Sequence, residues 1–138
     1  MRISEKEIYM SKPTVLLIDD EKPYAEIIKS ALESLDIDVL IACDSKEALN
    51  FLQQMVPDLI LLDVMMPDVD GLTLLRWLRE HSEQDDIPIH VVSAKAMTED
   101  REAALSAGAD GFLAKPFDIK NLRDLVRTYF PLSVSNSV

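Results

Sequence analysis

Residues 59–71 read Leu-Ile-Leu-Leu-Asp-Val-Met-Met-Pro-Asp-Val-Asp-Gly. Four consecutive apolar residues run into a carboxylate, Asp63, and the chain then breaks at Pro67 and Gly71 before a new apolar pattern begins. Such a run is short for a helix and does not alternate apolar with polar side chains, which is how a strand covered on both faces reads. The end of a buried strand is a costly place for an acid, because a charge taken out of water needs a partner. Asp63 is therefore expected to have a chemical task. Asp68 and Asp70 sit among Pro and Gly and are read as turn residues that hydrogen-bond locally.

Apolar runs of the same kind recur at residues 15–18, 39–42, 89–92 and 112–114. Between them Tyr24, Ile27, Ile28, Ala31, Leu32 and Leu35 repeat at three- and four-residue spacing, the mark of an amphipathic helix. Ala48, Leu49, Phe51, Leu52 and Met55 predict a second helix, and Leu72, Leu74, Leu75 and Leu78 a third. Residues 101–107 predict a short fourth helix stopped by Gly108, and Leu122, Leu125, Val126 and Tyr129 a fifth. Ser45 is read as the N-cap of the second helix and Asp118 as that of the fifth. Five strands alternating with five helices imply a doubly wound α/β sandwich of three layers, since each parallel connection needs a crossover helix that packs back on the sheet.

In such folds ligands gather beyond the carboxyl ends of the strands, where strand order reverses. With the order 2-1-3-4-5 the first and third strands are neighbours, so Asp19 and Asp20 converge with Asp63 on one edge. Three acids held together repel one another, and either a proton or a hard cation relieves them. Magnesium is the natural candidate, because it takes one or two carboxylates together with phosphate oxygens, as in phosphoryl-transfer sites. Ser93 follows the fourth strand and Lys115 the fifth, so a hydroxyl and an ammonium line the same edge as an oxyanion-binding pair.

Composition excludes other chemistries. The chain has 138 residues, 48% of them hydrophobic and 28% charged, which suits one globular domain. Its net charge of −11 disfavours direct binding to nucleic acid, whose phosphates reward clustered Lys and Arg. With Cys43 as the sole cysteine, no disulfide can form within the chain, and with only His81 and His90 besides there is no zinc constellation. The N-terminal stretch interleaves charged and apolar residues, and no run approaches a membrane span, so a cytoplasmic protein without signal peptide or membrane anchor is expected.

Four motifs then carry a resemblance: Val-Leu-Leu-Ile-Asp-Asp-Glu at 15–21, residues 57–71 ending in Asp-Val-Asp-Gly, Val-Ser-Ala at 92–94, and Gly-Ala-Asp-Gly-Phe-Leu-Ala-Lys-Pro-Phe at 108–117. In this order and spacing the sequence resembles the receiver domain of two-component response regulators, over residues 13–130. Residues 1–12 then form an N-terminal extension, and residues 131–138 a tail or the start of a linker. The resemblance implies a flavodoxin-like five-stranded parallel sheet with Asp63 as phospho-acceptor. Asp20, Asp63 and the backbone carbonyl of Met65 would ligate Mg²⁺, Asp19 would assist through water, and Ser93 and Lys115 would bind the acyl phosphate. It further implies a cis peptide at Lys115-Pro116, Phe112 as a switch aromatic that moves with Ser93, and an output surface on the fourth helix, fifth strand and fifth helix. The phosphoryl donor would be a histidine kinase or phosphotransfer protein. Receivers joined to winged-helix domains pair through fixed charges on that output surface; Arg101 and Asp110 match, whereas Gly111, Asn121 and Leu125 replace an acid, a glutamate and an arginine. A stand-alone regulator acting by protein contact is expected instead.

Taken singly, these residues have ordinary readings. Asp20 and Glu21 suit a helix N-terminus through the dipole, Ser93 suits a loop, Lys115 a solvated surface and Phe112 a core. His90 is read as a packed or edge histidine, His81 as the last turn of its helix, and Trp77 as a core or groove filler. Two rival functions are weighed. Aspartyl phosphatases of the haloacid-dehalogenase type carry a second acid two residues after the nucleophile, where this chain has Met65, and are set aside. A pseudo-receiver, an interaction module that is not phosphorylated, would follow only if acetyl phosphate failed to modify the protein.

Overall fold

A computed structural model describes residues 12–65, 70–81 and 86–130 of the chain. The expectations for Asp68 and for segments 1–11 and 131–138 fall outside these residues. Strands and helices alternate as β1 (Thr14–Ile18), α1 (Lys22–Glu33), β2 (Asp38–Ala42), α2 (Ser45–Gln54), β3 (Leu59–Leu62), α3 (Gly71–Glu80), β4 (Ile89–Ser93), α4 (Thr98–Ser106), β5 (Gly111–Ala114) and α5 (Ile119–Tyr129). The strands form one parallel sheet in the order β2-β1-β3-β4-β5. No helix among the described residues is long and apolar enough to cross a membrane.

The apolar runs are continuous because successive side chains enter two different cores. Leu16, Ile18, Ile60, Leu62, Ile89 and Val91 pack on one face with Ala48 of α2, Leu74, Leu75 and Leu78 of α3, and Ala104 of α4. Val15, Leu17, Leu59, Leu61 and Val92 pack on the other with Ala25, Ile28 and Leu32 of α1 and Leu122 and Val126 of α5. All four residues of β3 are 0% exposed, and burial of each such side chain contributes roughly 1.5–3 kcal/mol. The helices are anchored unequally: α3 buries Leu74, Leu75 and Leu78 besides Gly71, whereas α4 buries only Ala104.

The helix ends depart from the sequence reading in local ways. Asp44, not Ser45, caps α2, its side chain accepting from the Glu47 N–H at 2.8 Å. Asp70, read as a turn residue, is the N-cap of α3 and accepts from the Leu72 N–H. Asp118 occupies the N-cap position of α5 without a side-chain cap hydrogen bond. Helix α1 stops at Glu33, so Leu35 packs from the turn that Asp36 reverses at φ 62°. Helix α4 starts three residues earlier than its apolar pattern, and Gly108, at φ 115°, follows its end as expected. Gly71 has a different reason to be glycine: a Cβ there would lie 2.3 Å from Cα of Val64, so the start of α3 approaches Val64 this closely only with a bare backbone.

Candidate functional site

The sheet register delivers the site. Ile18 pairs with Leu62, so the next residue on each strand, Asp19 and Asp63, lies side by side with the other at the carboxyl edge. Both remain tied to the ladder, Asp19 N–H donating to Ala42 at 3.0 Å and Asp63 N–H to Ile18 at 2.9 Å. Ser93 pairs with Ala114, and the Lys115 N–H donates to the Ser93 carbonyl at 2.9 Å. Strands β1, β3, β4 and β5 therefore present an acid, an acid, a hydroxyl and an ammonium on one rigid rim.

Lys115 reaches across this rim. Its Nζ donates to Asp19 Oδ2 at 2.8 Å, to Glu21 Oε1 at 3.0 Å and to Asp63 Oδ2 at 3.2 Å. The remaining carboxylate oxygens are held by backbone, Asp19 Oδ1 by the Glu21 N–H and Asp63 Oδ1 by the Met65 N–H, each at 2.9 Å. Asp19, Asp63, Ser93 and Lys115 are all buried. Asp20 is half-buried and completes a cluster with Asp19 and Asp63 in which one oxygen of each lies within 4.8 Å of the others. A cleft of about 320 Å³ opens beside them, lined by Asp20, Glu21, Asp63, Met65 and Ala94. The Lys115-Pro116 peptide is cis, as the resemblance implied.

Negative charge is in excess here. Burial raises the Asp19 carboxyl above its ordinary value, against the opposing pull of the hydrogen bond from Lys115. Burial also acts against the Lys115 ammonium, but the hydrogen bonds to Asp19 and Glu21 and the charge of Asp63 outweigh it and hold the lysine well above its ordinary value. One ammonium thus pairs with three carboxylates, and Asp20 adjoins two of them as a fourth acid. A donor set made wholly of carboxylate oxygens with a surplus of charge fits a hard divalent cation, and neither thiolate nor imidazole belongs to it.

The residues expected at the site are therefore gathered, with distinctions. Asp19, Asp20, Asp63 and Lys115 converge, and Met65 lines the cleft. Ser93 stands on the same rim with its Oγ accepting from the Lys95 N–H at 3.1 Å, which leaves its own proton available to another acceptor. Phe112 lies off the rim, half-buried against the α2, α3 and α4 core, with the Arg101 guanidinium 5.1 Å from its ring centroid. Two contacts of Lys115 were not expected: Glu21, read only as helix-terminal charge, and the ring of Tyr24, whose centroid is 4.4 Å from Nζ. Residues so distant in sequence give no periodic signal of meeting.

The other polar residues settle elsewhere. His90 packs against Tyr129 and is 3.1 Å from its hydroxyl through Nδ1. His81 is the C-cap of α3 and stacks on Trp77, which is 39% exposed and so is not a core residue. Asp110 is engaged within its own chain by Arg79.

Residues 15–127 match the family model of the response regulator receiver domain. Response regulator Rre1 of Synechocystis sp. is 40% identical over 120 residues, covering 86% of this chain and 52% of that protein. The receiver domain of Francisella response regulator 1452 superposes with a TM-score of 0.79 at 37% identity, covering 88% of this chain and 99% of that one. The receiver domain of sensor histidine kinase PA1611 from Pseudomonas aeruginosa, solved with a magnesium ion coordinated in its active site cleft, gives 0.78 at 29% identity over 86% and 98% of the two chains. Other curated relatives are transcriptional regulators, and the chain spans about half the length of the curated relatives it matches.

Proposed function

The chain belongs to the response regulator receiver domain family, and from that premise we propose that Asp63 accepts a phosphoryl group from the phosphohistidine of a kinase or phosphotransfer protein. An Asp63 carboxylate oxygen forms the new P–O bond while the donor P–N bond breaks and its imidazole departs with the electron pair. Lys115 is the observation that carries this reading: a buried ammonium fixed over Asp63 neutralises charge on the incoming phosphoryl oxygens without having to be recruited. Ser93 donates its free proton to another phosphoryl oxygen. Asp20, Asp63 and the Met65 carbonyl would hold Mg²⁺, with Asp19 acting through water, and the ion supplies further neutralisation of phosphoryl charge.

Catalysis is confined to the chain's own phosphorylation and dephosphorylation. Residues 13–130 act as the receiver unit, in the cytoplasm, and the added charge shifts the population of two packings around Ser93 and Phe112. The surface that reports the change is formed by α4, β5 and α5, and is read by a partner protein or an output domain. The weak affinity for nucleic acid expected from a net charge of −11 applies to the residues of this chain alone. Acetyl phosphate with Mg²⁺ should add one phosphoryl group by intact mass, and Asp63→Asn should abolish the adduct. An adduct that survives the substitution, or forms equally in EDTA, overturns the assignment.

A further inference from the structure

We propose that Tyr24 and Glu21 control where the Lys115 ammonium goes, Tyr24 holding it over Asp63 in both states and Glu21 competing with the phosphoryl group for it; this rests on the phospho-acceptor reading of Asp63. An ammonium has three protons to donate, and Lys115 gives them to Asp19, Glu21 and Asp63. Nζ also lies 4.4 Å from the centroid of the Tyr24 ring. That ring is itself fixed, edge-on to Phe117 at 5.5 Å and an interplanar angle of 67°, and Phe117 lies two residues after Lys115 on the same loop. Tyr24 belongs to the first turn of α1 and Glu21 is that helix's N-cap residue, so one helix start supplies both contacts.

A phosphoryl oxygen that pairs with Lys115 must take over one of the three N–H bonds now donated to these acceptors. Asp19 is 1% exposed and would be left as a buried, unpaired charge, a costly outcome. Glu21 is 59% exposed and can turn into water with little loss of solvation. Asp63 loses its carboxylate charge on taking the phosphoryl group, so of the two acceptors that stay charged Glu21 is the one that can give up its N–H bond to the phosphoryl oxygens. Left in place, its carboxylate would also repel the phosphoryl group. Tyr24 differs in carrying no net charge: its ring face attracts the ammonium through the quadrupole and does not oppose a phosphoryl group beside it. The two residues should therefore act with opposite sign.

The test is calorimetric titration with beryllofluoride in the presence of Mg²⁺, on the wild type and on Tyr24→Leu, Tyr24→Phe and Glu21→Gln. Tyr24→Leu should weaken binding about two- to fivefold, the size of a partly exposed cation–π contact, and Tyr24→Phe should restore it because the ring face and not the hydroxyl is used. Glu21→Gln should tighten binding by up to about fivefold, since an exposed competing charge is removed. Carbon–proton spectra should show ring-current-shifted Lys115 ε-methylene protons in the wild type and Tyr24→Phe. Unchanged affinity in Tyr24→Leu, or Tyr24→Phe as weak as Tyr24→Leu, overturns the holder. Weaker binding by Glu21→Gln overturns the competition, and if Tyr24→Leu does not fold, Glu21→Gln and the spectra still decide. A wild type that binds no beryllofluoride, or an Asp63→Asn variant that binds it equally, is instead a failure of the phospho-acceptor reading.

Discussion

A cation meets carboxylate at each end of strands β4 and β5, and the two ends are built on different terms. At the amino end Arg79 donates Nε to the Gly108 carbonyl at 2.8 Å and Nη1 to that of Ile87 at 2.7 Å, and pairs through Nη2 with Asp110. Asp110 in turn accepts from the Ile89 N–H at 2.8 Å. Among the described contacts the positive group pairs with the negative group of Asp110, and both are tied to backbone. At the carboxyl end the Lys115 ammonium pairs with Asp19, Glu21 and Asp63 while Asp20 adjoins Asp19 and Asp63, and among these described residues negative charge is left over. A balanced pair fastens loops to the sheet, whereas an unbalanced cluster is poised to take up a further cation and an anion with it.

Substitutions can break this contrast, beginning with the largest expected effect. Lys115→Ala should slow phosphorylation by acetyl phosphate about 100-fold or more, the usual cost of losing one positioned oxyanion partner; a rate within tenfold of wild type would mean that the ammonium only balances charge. Arg79→Met should cost about 2–3 kcal/mol of stability in urea unfolding, because at least three bonds are lost and Asp110 loses its guanidinium partner. Its phosphorylation yield should stay near that of the wild type at low temperature, and a matching loss of yield would erase the distinction between the ends.

Asp63→Asn sharpens the contrast through stability. Removing one acid from an over-charged cluster should raise the unfolding free energy by about 1 kcal/mol without Mg²⁺, whereas Asp110→Asn should lower it. Equal signs in thermal melts of the two variants would refute the account of the charge balance. The smallest effect is pH-dependent and concerns His90. Burial lowers its imidazole below the ordinary value of 6.5, with Asp110 pulling the other way. A folded value below the unfolded one means stability that is present above about pH 6.5 and lost as pH falls through the lowered value. His90→Gln should show a shallower loss than wild type between about pH 7.5 and about pH 5, a comparison in which the raised Asp19 carboxyl, common to both proteins, cancels. Parallel curves would show that His90 does not contribute.

The strands were legible because burial on both faces leaves no polar position in residues 59–62, and the rim acids because each directly ends such a run. Helix ends were less legible, since caps depend on one side chain meeting one backbone group: Asp44 and Ser45 are equally good cap formers by type, and only the extended φ of Asp44 decides between them. The apolar pattern misses the start of α4 because the helix buries one alanine and has little pattern to show. Arg79 with Asp110, and Lys115 with Glu21 and Tyr24, join residues far apart in sequence, and such pairs leave no local trace.

The light anchoring of α4 has a consequence for how the molecule breathes. Ser93 Oγ holds the Lys95 N–H, the Lys95 ammonium lies 3.7 Å from Asp100, and Asp100 accepts from the Met97 N–H at the start of α4. Three short polar links thus lead from the rim to a helix that little apolar contact holds down. Local opening draws on the least-buried elements first, so the amides of α4 should exchange with solvent through excursions that leave β1 and β3 closed. Among the described residues a lightly held helix would then follow directly after the buried edge of the sheet, and a change of one hydrogen bond at Ser93 would be read as a change in how often that helix lifts.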